Sequence, residues 1–203
     1  MKKILIIFLL ILTTSCTRHN DLNSLAIIKS IGISHNEKYQ LYAEVIEEID
    51  KDNNPKMQVI ETESNDIGKL FENIKLLVNK EIYLSHIDLF LLDFNLNSND
   101  YQKLINYFLS NNELRNDFYC VASKDIKKVL ENSKYDEIEE LIETNKESKN
   151  IISITFEDII KEFLDNKTFN ISNIEYQDKV RFNGNYKFYN NKLERINDEK
   201  REN

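Results

Sequence analysis

The chain has 203 residues, with 27 Lys and Arg against 35 Asp and Glu, for a formal net charge of −8. That length holds one domain or two small ones, and so acidic a chain has no electrostatic footprint for nucleic acid and no basic stripe to draw it onto anionic lipid. Besides Cys16 only Cys120 is present, which excludes an internal disulfide framework; no repeat of fixed period is visible.

Lys2 and Lys3 precede an unbroken apolar run from Ile4 to Leu12, then Thr13, Thr14, Ser15 and Cys16. A positive start, a short apolar run and small residues before a cleavage point make a secretory signal peptide. The run stops short of the roughly 20 apolar residues that a spanning helix needs. A cysteine at that point resembles the lipobox of bacterial lipoproteins, in which the thiol takes a diacylglyceryl group and becomes the new N-terminus. The lipobox usually has Leu three positions before the cysteine, where Thr13 stands here. The expected arrangement is a lipoprotein signal peptide over 1–15 and lipid attachment at Cys16, with an acyl group such as palmitate; the plainer alternative is an ordinary signal peptide cut near Ser15. Losing residues 1–15 leaves 188 of the 203 residues and, with Lys2 and Lys3 gone, takes the charge from −8 to −10. Lipid is then the expected membrane contact, although one acyl chain alone holds weakly and two hold better.

Residues 17–23 are polar and read as a tether. Residues 25–33 (LAIIKSIGI) and 38–49 (KYQLYAEVIEEI) read as strands joined by a short connection, an antiparallel hairpin; Tyr39, Leu41, Ala43 and Val45 share a face. Asn53, Asn54 and Pro55 mark a loop over 50–56, and 57–62 is a third strand. Ile67, Leu70, Phe71, Ile74, Leu77 and Val78 form a helical stripe, with Ser64, Asn65 or Asp66 able to cap it. Residues 81–94 (EIYLSHIDLFLLDF) read as one apolar strand. Ser98 can cap a second helix, lined by Tyr101, Leu104, Ile105 and Phe108. Residues 117–122 form a short central strand, and Ser123 caps a helix carrying Ile126, Val129 and Leu130. Residues 133–150 turn acidic and basic around Ile138, Leu141 and Ile142, an exposed amphipathic helix followed by a linker. Thr155 and Asp158 have capping-box spacing ahead of Phe156, Ile159, Ile160, Phe163 and Leu164, and Asn166 ends that helix. Residues 169–176 and 180–193 read as strands, with the turn at either Asn183-Gly184 or Asn190-Asn191; the charged stretch 197–203 reads as a disordered tail.

Chemistry-bearing residues are sparse. His19 falls in the tether and His35 in a turn. His86 and Asp88 sit two apart in a predicted strand, so on one face, where an acid-base pair is conceivable but a polar pair on the less buried face is the plainer expectation. Cys120 lies in an apolar strand, as a small buried hydrophobe does, without an activating neighbour in sequence for a catalytic thiol. The carboxylates Asp136, Glu137, Glu139, Glu140 and Glu143 read as a solvated helix face rather than a cation site. No metal-ligand spacing, nucleophile elbow or phosphate-binding glycine loop occurs. No catalytic residue, metal or cofactor is expected.

Five blocks, in order, resemble the Ger(x)C family, the lipoprotein C components of spore-germination nutrient receptors. They are residues 22–33, with LAII and the Ile31-Gly32-Ile33 close; 67–79 (IGKLFENIKLLVN); 81–92, with Ser85-His86 where the family has Gly-His; 107–122, with Leu114-Arg115 and Val121-Ala122; and 180–193 (VRFNGNYKFYNNKL). The last block favours Asn190-Asn191 as the turn and puts Gly184 inside a strand. Departures are Thr17 in place of the family's Trp after the lipidated cysteine, and Ser34 in place of Asp after Gly32-Ile33. The resemblance implies an α+β fold with a mixed or antiparallel sheet and packed helices. It implies a first domain over 16–145 and the start of a second small α+β domain over 146–196. The family's large C-terminal domain is expected to be absent. It also implies a non-catalytic lipoprotein on the outer face of the cell or spore inner membrane, assembling with integral membrane receptor subunits to trigger germination. A solute-binding or other cell-envelope lipoprotein is the alternative from the residues alone.

Overall fold

The computed structural model describes residues 25–49, 55–78, 80–146 and 150–196. The expected signal peptide over 1–15, the lipid site Cys16, the tether with His19, most of the 50–56 loop and the 197–203 tail lie outside the described residues.

β1 (Leu25–His35) and β2 (Tyr39–Ile49) form the antiparallel hairpin, and β3 (Pro55–Ser64) pairs antiparallel with β2. β3 is longer than the predicted 57–62 and takes Pro55 out of the loop. A residue with no N–H to donate is tolerated at the start of an edge strand. α1 (Ile67–Leu77) is capped by Asp66, whose carboxylate accepts the Lys69 N–H at 3.0 Å. Ile67, Leu70, Phe71 and Ile74 are buried as expected, but Leu77 is 59% exposed because the helix ends there and Val78 takes the last inward place.

The stretch 81–94 is not one strand. β4 (Glu81–Tyr83) runs parallel to residues 25–27 of β1, Leu84–His86 make a 3-10 turn, and β5 (Leu89–Leu92) runs parallel to residues 30–33 of β1. Between the two pairings β1 carries an extra residue, Lys29, in a bulge opposite β2. The bulge keeps Ala26, Ile28, Ile31 and Ile33 on one buried face although the spacing changes from two to three. A straight partner strand cannot follow it, so the chain steps aside.

α2 (Ser98–Ser110) crosses to β6 (Tyr119–Ala122), which is parallel to β5 and interior to the sheet. Its cap is Asn97, not Ser98: Asn97 and Asp100 satisfy each other's backbone N–H groups. α3 (Ile126–Asn132) is likewise capped by Asp125 rather than Ser123, whose hydroxyl accepts the Asp125 N–H instead. α4 (Tyr135–Lys146) is amphipathic, and its Ile138 and Ile142 are fully inside. β7 (Ile154–Thr155) leads into α5 (Phe156–Asn166), where Thr155 and Asp158 form the predicted capping box; Leu164, 47% exposed, falls off the predicted stripe. β8 (Phe169–Tyr176), β9 (Val180–Tyr189) and β10 (Lys192–Arg195) form an antiparallel meander. Asn190 and Asn191 both have positive φ, 49° and 67°, as a tight two-residue hairpin turn requires. Gly184, with φ 87°, sits in a bulge within β9, and a side chain there would press on the Arg195 guanidinium.

Among the described residues the result is an α+β fold: one mixed sheet, order β10-β9-β8-β6-β5-β1-β2-β3, with β4 on β1 and β7 on β6, and five helices. Residues 150–196 join the rest through the antiparallel pairing of β7 with β6 and the parallel contact of β8 with β6 at Ala122 and Asn173. Phe156, Phe163, Phe169 and Phe188 lie in the same buried cluster as Phe90 and Phe108. One face of the sheet is covered by α1, α2 and α5. The other carries a smaller cluster of Leu89, Leu91 and Val121 under Val129, Leu130, Ile138 and Ile142. β5 contributes to both faces, which is why all four of its residues are buried.

Candidate functional site

The structure separates the predicted His-Asp pair. His86 is exposed in the 3-10 turn, tilted against the Tyr83 ring at 4.9 Å between centroids. Asp88 accepts from Lys29 Nζ at 2.6 Å. With no strand through 84–88, the two-residue spacing no longer places them on one face. Cys120 is buried in β6, and burial pushes its thiol pKa well up, away from thiolate. The α4 carboxylates point outward for the most part. Glu143 accepts the Tyr119 phenol at 2.6 Å, which raises the Tyr119 pKa. Among the described residues no three His, Cys, Asp or Glu side chains gather where a metal could bind, and no helix is long and apolar enough to cross a membrane.

The polar side chains that do converge lie at the carboxyl ends of β1 and β5, the end at which open α/β sheets commonly place their sites. Asp100, in the first turn of α2, is completely buried. Its Oδ1 accepts the Tyr39 phenol at 2.6 Å and lies 3.0 Å from His35 Nδ1; its Oδ2 accepts the Asn97 N–H at 2.9 Å. The His35 and Tyr39 rings stack at 4.0 Å. Lys103, one turn further along α2, donates to the Tyr39 oxygen at 3.2 Å. Burial, and then the hydrogen bond to Asp100, drive the Tyr39 pKa far above the usual phenol range, so the proton stays on tyrosine. Just past β5, Asp93 has its carboxyl pKa raised by burial, while the Asn95 N–H donates to it at 2.7 Å and pulls the other way. Together these groups clamp the tip of the β1–β2 hairpin to the start of α2.

Sequence reading placed His35 in a turn and Tyr39 on a core face but missed their partner. One signal was available: Asp100 falls between Asn97 and Tyr101, at capping-box spacing and on the inward face of a predicted helix. The partners are 61 residues apart, which no local pattern reveals.

Clefts lie elsewhere among the described residues. One of about 580 Å³ opens where α1 and α2 end beside β4, lined by Lys75, Ile82, Tyr83, Ser85 and Glu113. One of about 450 Å³ lies between β3 and the α3–α4 connection. A third, about 600 Å³, separates α4 from the start of β9 and sets Glu137 and Glu140 with Lys179 and Arg181 around Leu141 and Phe182.

Fold and site together define an α+β domain on one mixed sheet whose buried polar groups tie its elements to each other. Residues 18–176 match the family described as the Spore germination protein N-terminal domain, well over half of the chain. The chain belongs to that family, in agreement with the Ger(x)C resemblance of its sequence blocks. No curated protein and no solved structure matches it.

Proposed function

We propose that the protein is the lipoprotein C component of a spore nutrient-germinant receptor. In this reading residues 1–15 are removed and lipid on Cys16 holds the domain at the outer face of the cell or spore inner membrane. The domain then assembles with the receptor's integral membrane subunits. It works by surface contact rather than turnover, and nutrient recognition belongs to the assembly. The observation that carries the reading is the family match, which begins two residues after Cys16 and runs through the sheet to Tyr176.

The test is fractionation of spore membranes from the parent and from Cys16→Ala. The parent is expected in the membrane fraction with an acylated N-terminal cysteine by mass spectrometry, and to co-purify with polytopic partners. Cys16→Ala is expected to leave the membrane and to slow the germination response to nutrients. Unchanged retention of Cys16→Ala removes the anchor; a germination response indifferent to deletion of the whole chain removes the receptor role.

A further inference from the structure

We infer that the end of the domain where β1 begins is a membrane-seating face. There Leu76, Leu77 and Tyr83 rest in the interfacial layer of the bilayer that carries the anchor. The inference rests on the lipid at Cys16 and adds an orientation that the anchor alone does not impose.

The topology collects these residues at one end. α2 starts at the far end of β1, where Asp100 meets His35. α1 starts there too, just after Ser64 pairs with Tyr39. Both helices run back and finish together, and Lys75 bridges Glu113 at 3.2 Å. β4 then enters with Glu81 opposite Leu25, the first described residue of the chain. Six large apolar side chains are notably exposed among the described residues: Leu76 (79%), Leu77 (59%), Leu109 (54%), Tyr83 (45%), Leu164 and Tyr189. The first four sit on the last turn of α1, the last turn of α2 and β4. Single exposed leucines are ordinary, but a group on adjoining elements marks a surface that meets something.

The chain outside the described residues says what that is. Eight residues, 17–24, separate Cys16 from Leu25, and eight extended residues reach at most about 28 Å. β1 has 11 residues and spans about 36 Å, longer than that reach, so the start of β1 is the end of the sheet held nearest the anchor. Charge agrees with the placement. The whole chain is acidic, at −8, and an anionic bilayer repels it. Around this end, where the end of β2 and the start of β3 also lie, the sequence sets Lys56, Lys75, Lys80 and Arg115 against Glu47, Glu48, Glu81, Glu113 and Asp117, so charge supplies no attraction and apolar contact must. Leucine with a tyrosine at its margin suits an interface that is apolar on one side and wet on the other.

The chain contains no tryptophan, so one introduced indole reports cleanly. Leu76→Trp, and Tyr189→Trp as a control near the opposite end, are made in the lipidated full-length protein. Each is placed on vesicles of phosphatidylethanolamine and phosphatidylglycerol with brominated acyl chains. The Leu76→Trp emission is expected to shift to the blue and be quenched by the bromolipid, while Tyr189→Trp stays water-like. Adding Leu77→Ser and Tyr83→Ser to Leu76→Trp is expected to abolish the quenching while far-ultraviolet circular dichroism stays unchanged. A protein that floats with the vesicles while both indoles remain in water overturns the seating face and leaves the anchor standing. Shielding of Leu76→Trp only after integral receptor subunits are added likewise overturns it, in favour of a protein-docking face. Failure of the lipidated protein to float removes the anchor, and the face with it.

Discussion

The two faces of the sheet are filled by different chemistry. Under α1, α2 and α5 the core is aromatic. Phe108 lies 4.8 Å from Phe156 and 5.6 Å from Phe90, and Phe118 stacks on Phe156 at 5.5 Å. Further along, Tyr101 meets Phe188 at 4.7 Å, and Phe169 stacks on Phe188 at 5.2 Å. These rings come from residues 90 to 188, so the face joins the early and late halves of the chain. Under α3 and α4 the core is smaller and mostly aliphatic, with Tyr42 as its buried ring. The close approach of α3 to β1 depends on Gly32, where an added Cβ would collide with Ile126 Cγ2. A defect on the aromatic face should therefore be felt throughout the molecule, and one on the aliphatic face mainly by the helix above it.

The sharpest break is Phe156→Ala. Phe156 is fully buried among Phe90, Phe108 and Phe118. Its removal is expected to cost about 3–5 kcal/mol, read from urea unfolding as a lower midpoint shared by all probes. A loss confined to α5 would mean that the aromatic face does not unify the chain.

Asp100→Ala comes next. It removes the reciprocal half of the α2 capping box, the acceptor for the Asn97 N–H, at about 1 kcal/mol, and leaves the Tyr39 O–H without its acceptor at a further cost of about 1–3 kcal/mol. Asp100→Asn keeps an acceptor and should recover part of the loss in the same unfolding experiment. Equal losses for the two variants would mean that burial of the charge, not the hydrogen bonds, matters there.

Gly32→Ala tests the aliphatic face. Overpacking against Ile126 is expected to cost about 1–3 kcal/mol, with hydrogen exchange rising in α3 before the aromatic face responds. Pairing it with Ile126→Ala should give less than the sum of the two single losses, because the clash is gone. Strict additivity would mean that α3 is not seated on Gly32.

The smallest effect is a pH dependence at Asp93. Burial raises its folded pKa above the unfolded value, so the unfolded chain releases its proton first. Stability therefore falls as pH rises from the ordinary carboxylate range through the folded value. Asp93→Asn keeps an acceptor for the Asn95 N–H and should match the parent in acid, then gain on it as pH rises past that window, by thermal melting. A constant difference across pH would put the effect in packing rather than ionisation.

Much of this organisation was legible beforehand. The β1–β2 alternation, the stripes of α2, α3 and α5, the Thr155–Asp158 capping box and the bounds of β8 are local patterns, and local patterns are what a sequence displays. The errors sit where a neighbour decides. Residues 81–94 are apolar throughout and read as one strand, but the bulge at Lys29 in β1 divides them. Leu77 and Leu164 continue their stripes on paper, yet fall beyond the packed surface. Ser98 and Ser123 are sound caps in isolation, and Asn97 and Asp125 lie better placed to reach the first free N–H groups.

By itself the sequence determined the acidic character, most of the order of strands and helices and, through its blocks, the family. Those depend on composition and on spacings of a few residues, which covalent geometry turns directly into faces and turns. Only the tertiary structure decided that His86 and Asp88 part, that His35, Tyr39 and Asp100 meet, and that Leu76, Leu77 and Tyr83 gather beside the start of β1. These are encounters between residues far apart in the chain, set by which strands pair and in what register. The free energy that selects them comes from burying one shared core rather than from any segment's own preference.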